Sequence, residues 1–369
     1  MKKYLKNYIF TALINIIVII LIYLSIDGFF RINEFFYVPY PTQKEYRLLR
    51  PEPYINSLYF SKDFIEKSFE EPGGYLKINT NPPIIIPNNY TSTHLNVKDH
   101  KRVTTEQPQI YDFKILLFGG STVHNPEVPD NLTIASQLQA ILNQNNLKIL
   151  VENYGVSSIH AGEQFQRLIY DAKIKKNDIV IFYDGYNDVI QRIYLGKISG
   201  AISDESFNAP YYIRFVRRYK SHSALLRWID SEIFTKKDFN ENLKFSFIAA
   251  KQYRTILEDV HKYVSSNDAK FLHFLQPNLF TKFPLNKYEE DLLKKVGSEM
   301  VPFGVKEVVE DAYPKFKNEL KKLNFSTDLS DAFNTLEISP YLDVCHVTEA
   351  GNKIIATKIY EQIQRYLIK

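Results

Sequence analysis

The chain has 369 residues, 45% of them hydrophobic and 24% charged, an ordinary globular composition with room for one large domain plus appendages or for two domains. Its net charge of +4 comes mostly from Lys2, Lys3 and Lys6; the near-neutral remainder carries no nucleic-acid footprint. Cys345 is the only cysteine, which excludes an internal disulfide and leaves stability to the packed core.

Residues 8–26, YIFTALINIIVIILIYLSI, contain no charge. As a helix they would span roughly 28 Å, close to the thickness of a bilayer core. The three lysines precede the run, while Asp27, Arg31 and Glu34 follow it. The positive-inside rule then predicts a single-pass membrane protein, N-terminus cytoplasmic, with all that follows periplasmic or on the cell surface. A cleaved signal peptide is the competing reading, but Leu24-Ser25-Ile26-Asp27 offers no small-x-small site, so an uncleaved anchor is expected. The domain expectation is a cytoplasmic tip and transmembrane anchor over 1–27, a stalk or lead-in over 28–110, and a main domain over 111–369 with an insertion at 190–246.

The lead-in begins with Phe29, Phe30, Phe35, Phe36 and Tyr37, which suit a membrane interface or a stalk packed on the main domain. Residues 82–87, with three prolines, read as extended chain. Residues 93–97 alternate as a strand, turning at Lys98-Asp99-His100 into Arg102-Val103-Thr104. The region reads as irregular and β-containing. From 111 the pattern becomes β-α-β-α: strands at 114–118, 148–152, 178–183 and 270–275, helices at 133–145 and 161–173. Apolar strands alternating with helices imply a parallel sheet covered on both faces. In the insertion, Arg214, Arg217, Arg218 and Lys220 interleave with Tyr211, Tyr212, Phe215 and Tyr219. Two readings fit: an amphipathic helix with a solvated face, or a lid that meets an anionic glycan or lipid headgroups. A last helix starts near Thr348, its N-cap, and buries Ile355, Ile359 and Ile363 as one stripe.

Four short segments fall after strands or just before the last helix: Gly119-Gly120-Ser121, Glu152-Asn153-Tyr154-Gly155, Asp184-Gly185-Tyr186-Asn187-Asp188, and Asp343-Val344-Cys345-His346. In a parallel sheet the strand ends share one edge, so these loops converge. Ser121 can attack a carbonyl, His346 can act as its base, and Asp343 can fix the imidazole tautomer. The Ser121 and Gly155 N–H groups and the Asn187 amide can receive the oxyanion. Gln276 and Asn278, after the fourth strand, are candidate substrate contacts. Asp188 reads as structural and Cys345 as a small buried hydrophobe. His124 and His160 could line the site or simply pack. His94 and His100 lack zinc spacing, and neither a metal nor a cofactor is assigned.

This set resembles the SGNH, or GDSL-like, hydrolase superfamily, named for Ser, Gly, Asn and His in four ordered blocks. Gly185-Tyr186-Asn187-Asp188 matches its Gly-x-Asn-Asp block and Asp343-Val344-Cys345-His346 its Asp-x-x-His block. The likeness covers residues 112–190 and 268–369. Gly120 departs from the eponymous motif, which has Asp there. The resemblance implies a three-layer α/β/α, flavodoxin-like fold and hydrolysis of esters or amides, often on acylated carbohydrates or lipids. The α/β-hydrolase elbow fails, because Val123 occupies its last glycine position. The expected function is a membrane-anchored extracytoplasmic serine esterase that removes acyl groups, acetyl among the candidates, from a cell-envelope carbohydrate or lipid. An O-acyltransferase on an envelope polysaccharide with the same triad, and a non-catalytic glycan-binding or assembly protein, are the alternatives.

Overall fold

The computed structural model describes residues 2–36, 42–57, 59–70, 75–78, 84–194, 223–229, 243–296, 298, 300–301 and 304–367. The chain divides into two compact units, Met1–Tyr40 with Ala201–Glu241, and Pro41–Gly200 with Asn242–Lys369.

The first unit is built on helix α1, Lys2–Phe36. Its stretch Leu13–Ile32 has a mean hydropathy of 2.4 and is long and apolar enough to cross a membrane. The helix runs nine residues past the expected anchor end at 27, because Gly28 alone does not stop it and Arg31 Nε pairs with Asp27 Oδ2 one turn back at 2.7 Å. A carboxylate amid apolar side chains is costly unless its oxygens are bonded. Asp27 Oδ1 accepts from Ser223 Oγ at 2.6 Å and from Leu225 N at 3.0 Å, so it caps the helical turn Ala224–Ile229. Phe30 packs against Trp228 in a tilted pair with centroids 5.2 Å apart. Tyr37 and the basic–aromatic segment 211–220 lie outside the described residues.

The second unit holds helices α2 (Gln43–Leu48) and α3 (Lys62–Glu70), then strands β1 (Tyr75–Ile78), β2 (Ile84–Pro87), β3 (Val97–Lys98), β4 (Lys101–Arg102) and β5 (Phe113–Gly119). Next come α4 (Ser121–His124), α5 (Ile134–Gln144), β6 (Ile149–Gly155), α6 (Ala161–Tyr170), β7 (Ile179–Asp184) and α7 (Tyr186–Val189). The chain closes with α8 (Ser246–Ser265), β8 (Lys270–Leu275), α9 (Lys287–Leu293), α10 (Val305–Leu320), β9 (Ser326–Asp328) and α11 (Glu349–Leu367). Strands β1 and β2 form a separate antiparallel hairpin. The main sheet runs β3-β4-β6-β5-β7-β8-β9. Pairing is parallel from β6 through β9, and β3 and β4 add an antiparallel edge. Helices α5 and α11 pack together as one outer layer, and α6, α8 and α10 as the other. This is the expected α/β/α sandwich with flavodoxin-like strand order. Ile115, Leu116, Leu117 and Phe118 of β5 are fully buried, as a central strand covered on both faces requires.

The described residues of the lead-in from 42 onward belong to the same compact unit as the sheet, which fits the packed form of the stalk. Tyr54, Phe64 and Ile65 bury against Leu342, with Leu48, Tyr59 and Phe60 around them, and each such buried side chain contributes roughly 1.5–3 kcal/mol. The lead-in also contains helices. Helix α2 opens on a Thr42/Glu45 capping box, a signal written in the sequence as Thr-x-x-Glu.

Candidate active site

Strand β5 ends at Gly119 in register with Gly155 of β6 and Tyr183 of β7, which aligns three carboxyl ends. The chain then turns at Gly120 into α4, with the Val123 and His124 N–H groups donating to the Gly120 carbonyl. A Cβ on Gly119 would overlap Val123 and the Tyr183 carbonyl, and one on Gly120 would overlap Asn187 Nδ2. The pair of glycines therefore lets the helix begin against the sheet and lets Asn187 close on the turn. The same contact explains the Gly at 120.

Ser121 heads α4, and its Oγ lies 2.7 Å from His346 Nε2. His346 Nδ1 lies 2.7 Å from Asp343 Oδ2. Asp343 Oδ1 accepts from the backbone N–H groups of Cys345 and His346 at 2.9 and 2.8 Å. The turn that carries both residues is closed by Leu342 N donating to His346 O and pinned by Leu279 N donating to Val344 O, each at 2.8 Å. The structure thus brings Ser121, His346 and Asp343 into one line of hydrogen bonds, with the imidazole partly open to solvent. Burial alone would raise the Asp343 pKa. The His346 imidazole, the Arg47 guanidinium and the His346 N–H outweigh it and hold the carboxyl well below the usual range. Burial likewise disfavours a charged His346, but Asp343, Cys345 and Glu127 outweigh it and push the pKa well above its ordinary value.

Two charged groups here were not legible as site residues. Arg47, on α2, is buried with Nη2 3.7 Å from Glu127 Oε1 and 3.8 Å from Asp343 Oδ2. Glu127, 5% exposed, sets Oε1 3.9 Å from His346 Nε2. Its loop is braced by Tyr59, whose hydroxyl donates to Glu127 O at 3.2 Å, and by Arg102, which donates to Val128 O at 2.9 Å. Nothing in the local pattern of either residue marks it; only the fold makes them neighbours.

Asn187, on α7, donates from Nδ2 to Ile159 O at 2.9 Å, and its second hydrogen has no further partner among the described residues, beside the Gly120–Ser121 turn. Gly155 does not stand as expected. Its N–H donates to Asn153 Oδ1 at 2.9 Å, so it is not free for an oxyanion. Asn153 also donates to Val123 O at 2.8 Å, and a Cβ on Gly155 would overlap His124 N. The glycine is there for close packing of β6 on α4. The loop beyond it takes a left-handed turn at Ser158, φ 65°, and carries the Ile159 carbonyl that orients Asn187.

Gln276 and Asn278 do not stand as expected either. Both side chains are interior, 3% and 0% exposed. Asn278 Oδ1 accepts from Thr281 N at 3.2 Å, capping the short turn whose Leu279 pins the Asp343–His346 turn. His124 is buried, and burial, then Arg102, push its pKa down to about 3. His160 caps α6, with Nδ1 accepting from Gly162 N at 3.1 Å. Cys345 is buried, which pushes its thiol up to about 11 and makes it a poor nucleophile. Asp188 accepts from Ala161 N at 3.1 Å and pairs with Arg192 at 3.5 Å; burial and Asp184 push it up to about 8. It is structural, as expected.

A second polar line runs through the interior. Asp184 Oδ1, at the end of β7, lies 3.2 Å from His273 Nε2 on β8 and bonds the Tyr253 hydroxyl. Tyr253 Oη is 2.7 Å from His273 Nε2, and His273 Nδ1 is 2.7 Å from Ser326 Oγ on β9.

No protein-family model and no curated protein matches the chain. Solved structures similar to it include a lipolytic protein of the G-D-S-L family from Veillonella parvula, with 13% identity and a TM-score of 0.39 over 69% of this chain and 100% of that one. A catalytic-mutant form of an acetylxylan esterase from Geobacillus stearothermophilus has 15% identity and a TM-score of 0.40 over 69% of this chain and 94% of that one. The psychrotrophic esterase EstA from Pseudoalteromonas sp. has 12% identity and a TM-score of 0.37 over 70% of this chain and 100% of that one.

Proposed function

We propose that this protein is a membrane-anchored serine esterase that removes acyl groups, acetyl first among them, from a cell-envelope carbohydrate or lipid. The observation that carries this reading is the unbroken line Ser121 Oγ–His346 Nε2–His346 Nδ1–Asp343 Oδ2, with both heavy-atom separations at 2.7 Å. In that line Ser121 gives its proton to Nε2 as Oγ attacks the ester carbonyl. Asp343 holds the Nδ1 proton and stabilises the imidazolium that forms. The oxyanion is received by the Ser121 N–H and the second hydrogen of Asn187 Nδ2, with the 157–159 loop alongside. His346 then passes its proton to the leaving alcohol, and an acyl group remains on Ser121. Water or a second alcohol enters by the same route in reverse.

The anchor rests on the apolar span of α1, and the extracytoplasmic placement on the lysines ahead of it. Acetyl is favoured as the small acyl group common on such polymers, and the envelope as what lies next to an anchored domain. The test is hydrolysis of short-chain p-nitrophenyl esters by the full-length protein in detergent, beside Ser121→Ala and His346→Ala. Loss of turnover by about four orders of magnitude in both, with the fold intact, is the expected result. Equal background rates in all three would overturn the esterase reading. A glycan-binding role would then be tested directly.

A further inference from the structure

The esterase reading leaves Glu127 unexplained. A carboxylate this buried ordinarily has each oxygen hydrogen-bonded, because an unmet buried acceptor costs about 1–3 kcal/mol. Here Oε2 has no hydrogen-bond partner among the described residues. Oε1 faces Arg47 at 3.7 Å and His346 Nε2 at 3.9 Å, both beyond hydrogen-bond length. The triad does not use it, since Asp343 already fixes Nδ1 on the opposite side of the ring. What lies between Glu127 Oε1 and His346 Nε2 is the place where a second hydroxyl compound must stand to attack an acyl group on Ser121.

The geometry points to Glu127 as the residue that selects this second reactant, a conclusion that rests on the proposed acyl-Ser121 intermediate. An oxygen about 2.8 Å from both Oε1 and Nε2 sees them roughly 90° apart, an angle that the two hydrogens of one water can serve. One hydrogen points to Nε2 and the other to Glu127. As the water oxygen bonds to the acyl carbon, its proton passes to Nε2. The Ser121 Oγ–acyl bond then breaks, and that proton goes from Nε2 to Oγ. A simple alcohol has one hydroxyl hydrogen, which must go to Nε2, and it leaves Glu127 unsatisfied. A vicinal diol restores the match: one hydroxyl attacks while its neighbour donates to Oε1. Glu127 therefore admits water and the adjacent hydroxyls of a carbohydrate, and disfavours an isolated alcohol. Rejection by an unpaired buried acceptor discriminates more strongly than loss of apolar contact does. Arg47 holds the carboxylate in place from the far side, and Tyr59 holds its backbone. The lead-in thus supplies the parts that fix Glu127, while the α/β sandwich supplies the triad.

The test compares the full-length protein with Glu127→Gln, both in detergent, using p-nitrophenyl acetate as acyl donor. Pre-steady-state release of p-nitrophenolate reads acylation and also counts folded sites; steady turnover reads deacylation. Ethanol and ethylene glycol serve as competing acceptors. The native protein is expected to acetylate ethylene glycol about tenfold better per hydroxyl than ethanol. In Glu127→Gln that preference falls to near one, turnover drops about 30-fold while the burst drops less than threefold, and acetyl-Ser121 accumulates in the intact mass. Burst and turnover falling by one common factor, no change in turnover, or no diol preference in the native protein each overturns the inference. A native protein with no Ser121-dependent release at all instead overturns the esterase reading, and the inference with it.

Discussion

Two lines of aspartate, histidine and hydroxyl lie in one α/β sandwich, and only one of them has an imidazole partly open to solvent. Both imidazoles lie 2.7 Å from their serine hydroxyl, but His346 is 2.7 Å from Asp343 whereas His273 is 3.2 Å from Asp184, which also bonds Tyr253. The larger difference lies at the hydroxyl end. Ser121 heads a helix beside the Asn187 amide, and the imidazole it bonds is partly open to solvent. Ser326 sits in strand β9 with its N–H given to Leu323 O, and His273, Asp184 and Tyr253 are buried to within 1%. An imidazole between a carboxylate and a hydroxyl is thus a common way to satisfy polar groups. It becomes a nucleophile's base only where donors for a developing charge and room for a substrate meet the hydroxyl.

The comparison breaks most sharply at the two serines. Ser121→Ala should lower ester turnover by about four orders of magnitude with little change in thermal midpoint. Ser326→Ala should leave turnover per folded molecule within about threefold while costing roughly 1 kcal/mol in urea unfolding. Comparable activity losses from both would erase the distinction. Asn187→Ala should cost about 10²–10³ in kcat, with a smaller change in KM, as removal of an oxyanion donor does. His273→Ala, by contrast, should cost roughly 2–4 kcal/mol of stability, because Asp184 and Tyr253 lose a buried partner. Denaturant midpoints measured beside single-turnover rates would separate the two effects.

The smallest effects sharpen the electrostatics. His346 must be neutral to accept a proton, so kcat/KM should rise with pH along a limb set above the ordinary histidine value near 6.5. The raised pKa means that the charged imidazole stabilises the fold fully below about pH 6.5, and that this contribution fades as pH climbs through the folded-state value. Activity and this part of stability therefore move in opposite directions. The charges that face the ring are Asp343, Glu127 and, behind both, Arg47. Arg47→Met removes a cation and should move the limb upward by about half a pH unit, whereas Glu127→Gln should move it downward by a similar amount. A limb unmoved by either substitution would mean that these charges do not reach the imidazole.

Much of the site was legible because its parts stand at element boundaries. Apolar runs located β5, β6, β7 and β8, and strand ends in a parallel sheet converge, so Ser121, Asn187, Asp343 and His346 could be placed together before any coordinates. Gly155 misled for a local reason. Asn153, two residues earlier, turns its side chain back to the Gly155 N–H, as asparagines in turns do, and sequence spacing cannot show which donor that amide will take. Gln276 and Asn278 misled because a polar residue after a strand can point inward to cap a turn. Arg47 and Glu127 are single charges in unremarkable surroundings; their meeting depends on α2 docking over the Asp343 turn. The His273 line depends on β7–β8 register, which sets Phe182 against His273.

Arg47 on α2 also has a bearing on the order in which the site can assemble. In a chain made from its N-terminal side, Arg47 precedes Ser121 and Glu127, and Asp343 and His346 follow much later. Arg47 meets Glu127 early and waits far longer for Asp343. A chain that stops before Asp343 lacks both groups that line up behind Ser121. Under the esterase reading, Ser121 therefore stays without its base while the β-α-β units between it and the Asp343 turn are being made.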